Sequence, residues 1–132
     1  MRHFTVSLLK YNWTVDAFIG ATCGNFKDIV RQSQVLRSDI SYCGSVYRRL
    51  KTCGTNTGFT CTDISMGESV IIISEVSSLL EFVDTLFHEI SHLTIHLYKI
   101  YGMDTEEDYC YLNGYIGKAI CEVLFKHVSE IV

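Results

Sequence analysis

His88-Glu89-Ile90-Ser91-His92 is the stretch of this 132-residue chain whose residue types and spacing could do chemistry. It is an H-E-x-x-H pattern. On a helix, residues four apart lie one above the other on the same face, so the two imidazoles can ligate one metal ion. The glutamate between them can serve as general base toward a water on that ion. Together these are the working core of a zinc hydrolase. With 5 histidines in the chain, chance placement yields the pattern in roughly 1% of such sequences. The competing reading is a helix with two solvated histidines and a solvated glutamate.

The elements that must position these residues can be read around them. A helix is expected from about Ser78 to Tyr101, with Leu79, Val83, Leu86, Ile90, Leu93 and Leu97 as its core stripe. At 100° per residue, His88 and His92 point roughly opposite that stripe, beside Glu81, Thr85 and Lys99. Gly102 suits a helix end, and Asp104 or Thr105 can cap a second helix with an acidic first turn of Glu106, Glu107 and Asp108. The short connection makes the two helices antiparallel neighbours or a sharp elbow. Upstream, Phe4 to Tyr11 and Trp13 to Gly20 read as strands with a break near Asn12. A short helix around Phe26-Ile29-Val30 follows, with Asn25 as its expected N-cap. Gly58 to Thr62 and Ser69 to Ser74 read as two strands joined through Met66-Gly67, the second apolar enough for burial on both faces. Residues 37–57 are the least legible, with one strand or helix expected around Val46 to Leu50.

A zinc site needs a third protein ligand. His96 continues the spacing, but eight residues separate it from His88, or about 12 Å of helix axis. Two Zn–N bonds of about 2.1 Å cannot bridge that gap, so His96 is expected in an outer shell or at the surface. The carboxylates of Glu106, Glu107 and Asp108 remain, one loop away on a helix that can fold back. The dipole alone also favours acids there.

The run Glu107-Asp108-Tyr109-Cys110-Tyr111-Leu112-Asn113-Gly114-Tyr115-Ile116 resembles the E-x-x-A-Y-L-x-G-Y-L ending of small H-E-x-x-H proteins of bacteriophage and prophage genomes, a minimal zincin-like family. Cys110 stands where that pattern has Ala. The specific motifs lie in residues 86–116. The resemblance implies a single zincin-like domain over residues 1–132, α+β in class. It would have a short mixed or antiparallel sheet packed on the long motif helix, followed by a second C-terminal helix. It further implies His88, His92 and Glu107 as ligands of Zn2+ in a gluzincin-type site, and Glu89 as catalytic base. Tyr111 and Tyr115, one and two turns after Glu107, are candidate oxyanion donors, although helix packing is their favoured role. By the same analogy Val70 to Ser74 is an edge strand that pairs with an extended peptide substrate. The activity expected is zinc-dependent peptide-bond hydrolysis. The alternative is a catalytically silent metal-binding or protein-interaction module.

Composition narrows the partners. A net charge of −4 provides no basic footprint for nucleic acid. The longest aliphatic run, Val70-Ile71-Ile72-Ile73, is far too short to span a membrane. The first residues lack the pattern of a signal peptide, which favours the cytoplasm. Six cysteines occur without any C-x-x-C, and they are expected as free thiols, most of them buried. The expected partner is a peptide or protein substrate. Oligomeric state is not legible.

Overall fold

The computed structural model describes residues 1–38 and 58–127. The chain opens with two strands, β1 (Arg2–Leu8) and β2 (Trp13–Ala21), paired antiparallel with Val6 opposite Val15. A 3-10 turn over Leu9–Tyr11 joins them and ends at Asn12, whose φ of 49° is left-handed. Asparagine tolerates that conformation better than most side chains, which is why the break falls there. Next come α1 (Phe26–Gln32) and α2 (Gln34–Ser38). Asn25 stands at the N-cap position of α1, as expected, but its side chain makes no capping bond to the helix. Its Oδ1 accepts the Thr22 N–H at 2.8 Å instead, closing the 3-10 turn before the helix.

β3 (Gly58–Asp63) and β4 (Glu68–Ser74) form a hairpin whose turn places Gly67 at φ 64°. The sheet order is β1-β2-β4-β3, with β2 and β4 parallel and the other two pairs antiparallel. Val70 to Ser74 is therefore an interior strand and not the expected edge. Its ladder groups are taken by β2 on one side and β3 on the other, and β3 is the edge nearest the motif helix. The apolar run explains this placement. Val70 and Ile72 pack under α1 and α2, while Ile71 and Ile73 pack under the C-terminal helices, so β4 is buried on both faces.

Those helices are α3 (Leu79–Ile100) and α4 (Glu106–Leu124). Ser78 caps α3 by accepting the Glu81 N–H, and Gly102 ends it at φ 63°. Thr105 caps α4 by accepting the Asp108 N–H at 3.0 Å. Thr94 on α3 meets Asn113 on α4, and Tyr98 meets Tyr109, so the two helices run antiparallel. The class is α+β: a four-stranded mixed sheet with one helical layer on each face. Among the described residues, no helix is long and apolar enough to cross a membrane.

The cysteines depart from expectation. Cys61 is disulfide-bonded, and it is buried on the β3 face turned away from α3. Cys23, Cys110 and Cys121 are free but exposed or half-buried. Spacing along the chain does not reveal which side chains the fold brings together, so the free-thiol expectation fails at Cys61. The element expected near Val46 to Leu50 lies outside the described residues.

Candidate metal centre

Helix α3 is phased by its apolar side. Phe82, Leu86, Ile90, Leu93 and Leu97 are all buried. The expected stripe is right from Leu86 onward. At the first turn Phe82 fills the core, while Leu79 is exposed and Val83 is only partly buried. This phase sends His88 and His92 outward, where both are exposed.

The two rings lean toward each other at 74°, with their Nε2 atoms 3.1 Å apart. In a tetrahedral zinc site with Zn–N of about 2.1 Å, neighbouring nitrogens stand about 3.4 Å apart. The pair is therefore already close to the spacing that two ligands of one metal require. At this distance one Nε2 donates a hydrogen bond to the other; with both ring protons on Nδ1, both Nε2 lone pairs become available to an ion.

Glu89 has gone the other way, to the flank of α3 that faces β3. It is 3% exposed. The Thr60 hydroxyl donates to its Oε2 at 2.5 Å. Gly58 lies flat against it: a Cβ there would stand 2.8 Å from Oε1 and 2.9 Å from Cγ. One step further along β3, Thr62 Oγ1 is 2.9 Å from His96 Nδ1. The alternation of the strand accounts for all three contacts. Phe59 and Cys61 turn to the α1–α2 layer, so Gly58, Thr60 and Thr62 turn to α3. These three residues were not singled out from sequence. The signal was present as small and polar residues at period 2, in a strand whose other face is apolar.

His96 is half-buried at this contact. Burial first, then charge interaction with His92 and Lys99, pushes its pKa below the ordinary 6.5. It stands one turn beyond His92 on α3, hydrogen-bonded to Thr62.

Glu107 is not brought to the histidines. Tyr98 packs against Tyr109 where the two helices meet. His92 lies six residues before Tyr98, about 9 Å back along α3, and Glu107 lies two residues further from it on the antiparallel α4. The separation along the axis is thus about 12 Å, beyond the reach of a shared ion. Glu106 is one residue further still, and Asp108 one residue nearer. Among the described residues, no group of three His, Cys, Asp or Glu side chains stands close enough to hold a metal. Tyr111 is 75% exposed. The Tyr115 hydroxyl accepts the Lys10 N–H at 3.0 Å and its ring meets Tyr11, so it braces α4 against the start of the chain.

Comparison with family models, with curated proteins and with solved structures returns no match to this chain.

Proposed function

We propose that this protein is a small zinc-dependent, metallopeptidase-like hydrolase with a zincin-like fold. The observation that carries the reading is the 3.1 Å approach of His88 Nε2 and His92 Nε2 beside a buried Glu89. His88 and His92 would hold the ion. When bound, zinc would supply Lewis acidity, lowering the pKa of water and polarising a carbonyl. The Thr60 proton occupies Oε2 of Glu89, so Oε1 is the atom left to take a proton from water and return it to a leaving amine. Gly58 leaves room for that carboxylate at the edge of the sheet. β3, rather than β4, stands at an edge of the described sheet, and it is the edge strand nearest the motif helix, where an extended peptide could pair.

The phage and prophage zincin-like resemblance supports the same reading through its motif pattern. Its third ligand, Glu107, is the weak element, because α4 carries it to the far end of the helical seam. The Cys61 disulfide weighs against the cytoplasm, since such bonds persist in oxidising compartments.

A second reading is favoured by one observation. A general base must meet water, and Glu89 is 3% exposed. A catalytically silent metal-binding or interaction module would keep such a carboxylate as a structural tie to Thr60.

Elemental analysis of purified full-length protein, run beside His92→Ala and Glu89→Gln, separates these readings. The hydrolase reading expects about one zinc per chain. It expects that zinc to be lost in His92→Ala and kept in Glu89→Gln, with hydrolysis of a peptide library falling at least 100-fold in Glu89→Gln. Zinc that is bound without any turnover supports the silent module. No zinc after reconstitution removes both.

A further inference from the structure

A cavity of about 370 Å³ opens one helical turn past His92, lined by Thr62, Ile64, His96, Lys99 and Ile100. Its polar wall is the end of a buried hydrogen-bond relay. Trp13 Nε1 lies 2.9 Å from Ser69 Oγ, Ser69 Oγ lies 2.8 Å from Thr62 Oγ1, and Thr62 Oγ1 lies 2.9 Å from His96 Nδ1. An indole N–H only donates, which sets the direction of the whole chain. Ser69 is fully buried and must accept from Trp13, so among the described residues its own proton has Thr62 Oγ1 as its one acceptor. Thr62 then donates to His96. Reversing the relay would leave the Ser69 hydroxyl buried without an acceptor, which folded proteins avoid.

His96 Nδ1 is therefore an acceptor, and the proton of the neutral ring sits on Nε2, away from Thr62. A protonated His96 would carry N–H on both nitrogens and clash with the Thr62 donor. The ring is held as a neutral donor at the cavity wall. Lys99, exposed on the same helix, adds a cation at the rim. The carbonyls of Leu97, Tyr98 and Lys99 already accept the N–H groups of Tyr101, Met103 and Gly102, so the negative end of α3 is blunted. Ile64 and Ile100 supply the apolar wall.

We propose that this cavity binds the carboxylate-bearing C-terminal residue of a peptide. His96 Nε2–H and the Lys99 ammonium hold the carboxylate, and Ile64 and Ile100 pack on an apolar side chain. Binding needs no metal. Its assignment as the subsite next to the scissile bond rests on the hydrolase reading above, since the cavity is one turn from His92.

The test is titration of the metal-free, full-length protein with N-acetylleucine and with N-acetylleucinamide, followed by ring-nitrogen NMR slightly above neutral pH. The free protein should show His96 as the Nε2–H tautomer. The acid should bind with millimolar affinity and shift His96 Nε2, and the amide should bind several-fold more weakly. Lys99→Gln, an exposed change that leaves the relay intact, should weaken the acid roughly threefold without affecting the amide. His96→Gln should weaken both. An Nδ1–H tautomer, equal binding of acid and amide, or no shift at tens of millimolar would overturn the proposal. A zinc titration on the same sample reads the hydrolase proposal separately, so either can fail alone.

Discussion

Helix α3 has two working flanks built on opposite principles. Toward α4 it is apolar: Leu93 and Leu97 are fully buried in the same cluster as Leu112 and Ile116, with polar ties from Thr94 to Asn113 and from the Tyr98 hydroxyl to the Thr105 carbonyl. Toward β3 it is polar: Glu89 and His96 meet Gly58, Thr60 and Thr62. Burial is complete at Leu93, Thr94 and Leu97, whereas on the β3 side only Glu89 and Thr62 are buried and Gly58, Thr60 and His96 are half-buried. On the α4 flank, burial stabilises directly and tolerates variation in shape. On the β3 flank, burial costs free energy unless each polar atom finds a partner, which is how chemistry-bearing groups come to be held in one orientation. The histidine pair lies between the flanks and takes part in neither.

The comparison can be broken most strongly on the apolar side. Leu93→Ala should cost about 2–5 kcal/mol in denaturant unfolding, because it removes a fully buried side chain and leaves a cavity. It should leave the His88–His92 spacing, and so the relative zinc affinity of the folded protein, close to wild type. Loss of zinc binding at full helicity would mean that the seam positions the site after all.

Gly58→Ala probes the polar side with less volume and more specificity. The added Cβ would fall within 3.0 Å of Glu89 and Thr85 atoms, so the carboxylate must move. The expected cost is about 1–3 kcal/mol of stability, together with loss of any Glu89-dependent turnover. Unchanged stability and activity would show that Glu89 does not depend on the edge of β3.

Acidification tests the same flank without mutation. The His96 pKa is depressed in the fold, chiefly by burial and then by the charges of His92 and Lys99. The unfolded chain therefore binds this proton first. The stabilising contribution is fully present above the ordinary value of 6.5 and is lost as pH falls toward the folded value. Unfolding midpoints measured downward from neutrality should fall through this window, and His96→Gln should flatten the fall. A slope that survives His96→Gln would assign the proton elsewhere.

The smallest effect is expected at the helix seam's far end. The family pattern makes Glu107 a ligand, so Glu107→Ala would lose zinc. The antiparallel pairing of α3 and α4 puts Glu107 about 12 Å away, so zinc affinity should change less than about twofold. Calorimetric zinc titration of Glu107→Ala distinguishes the two, and a hundredfold loss would require α4 to pack differently.

Much of this fold was legible residue by residue. The period of Leu86, Ile90, Leu93 and Leu97 specified α3 and its outward histidines, and Ser78, Thr105, Asn12 and Gly102 marked the ends of elements, because these signals are local. The spacing of His88 and His92 was likewise local, being set by the pitch of one helix. Three other matters depended on contacts between segments distant in sequence. Strand order made β3 and not Val70 to Ser74 the edge. The register of β3 against α3 delivered Thr60 to Glu89 and Thr62 to His96. The meeting of Tyr98 with Tyr109 decided how far Glu107 stands from the histidines. Sequence by itself determined the motif, its helix and its outward face, since propensity and periodicity act within a few turns. The tertiary structure alone decided which partners face that helix, since strand register and helix pairing are chosen by packing across the whole core.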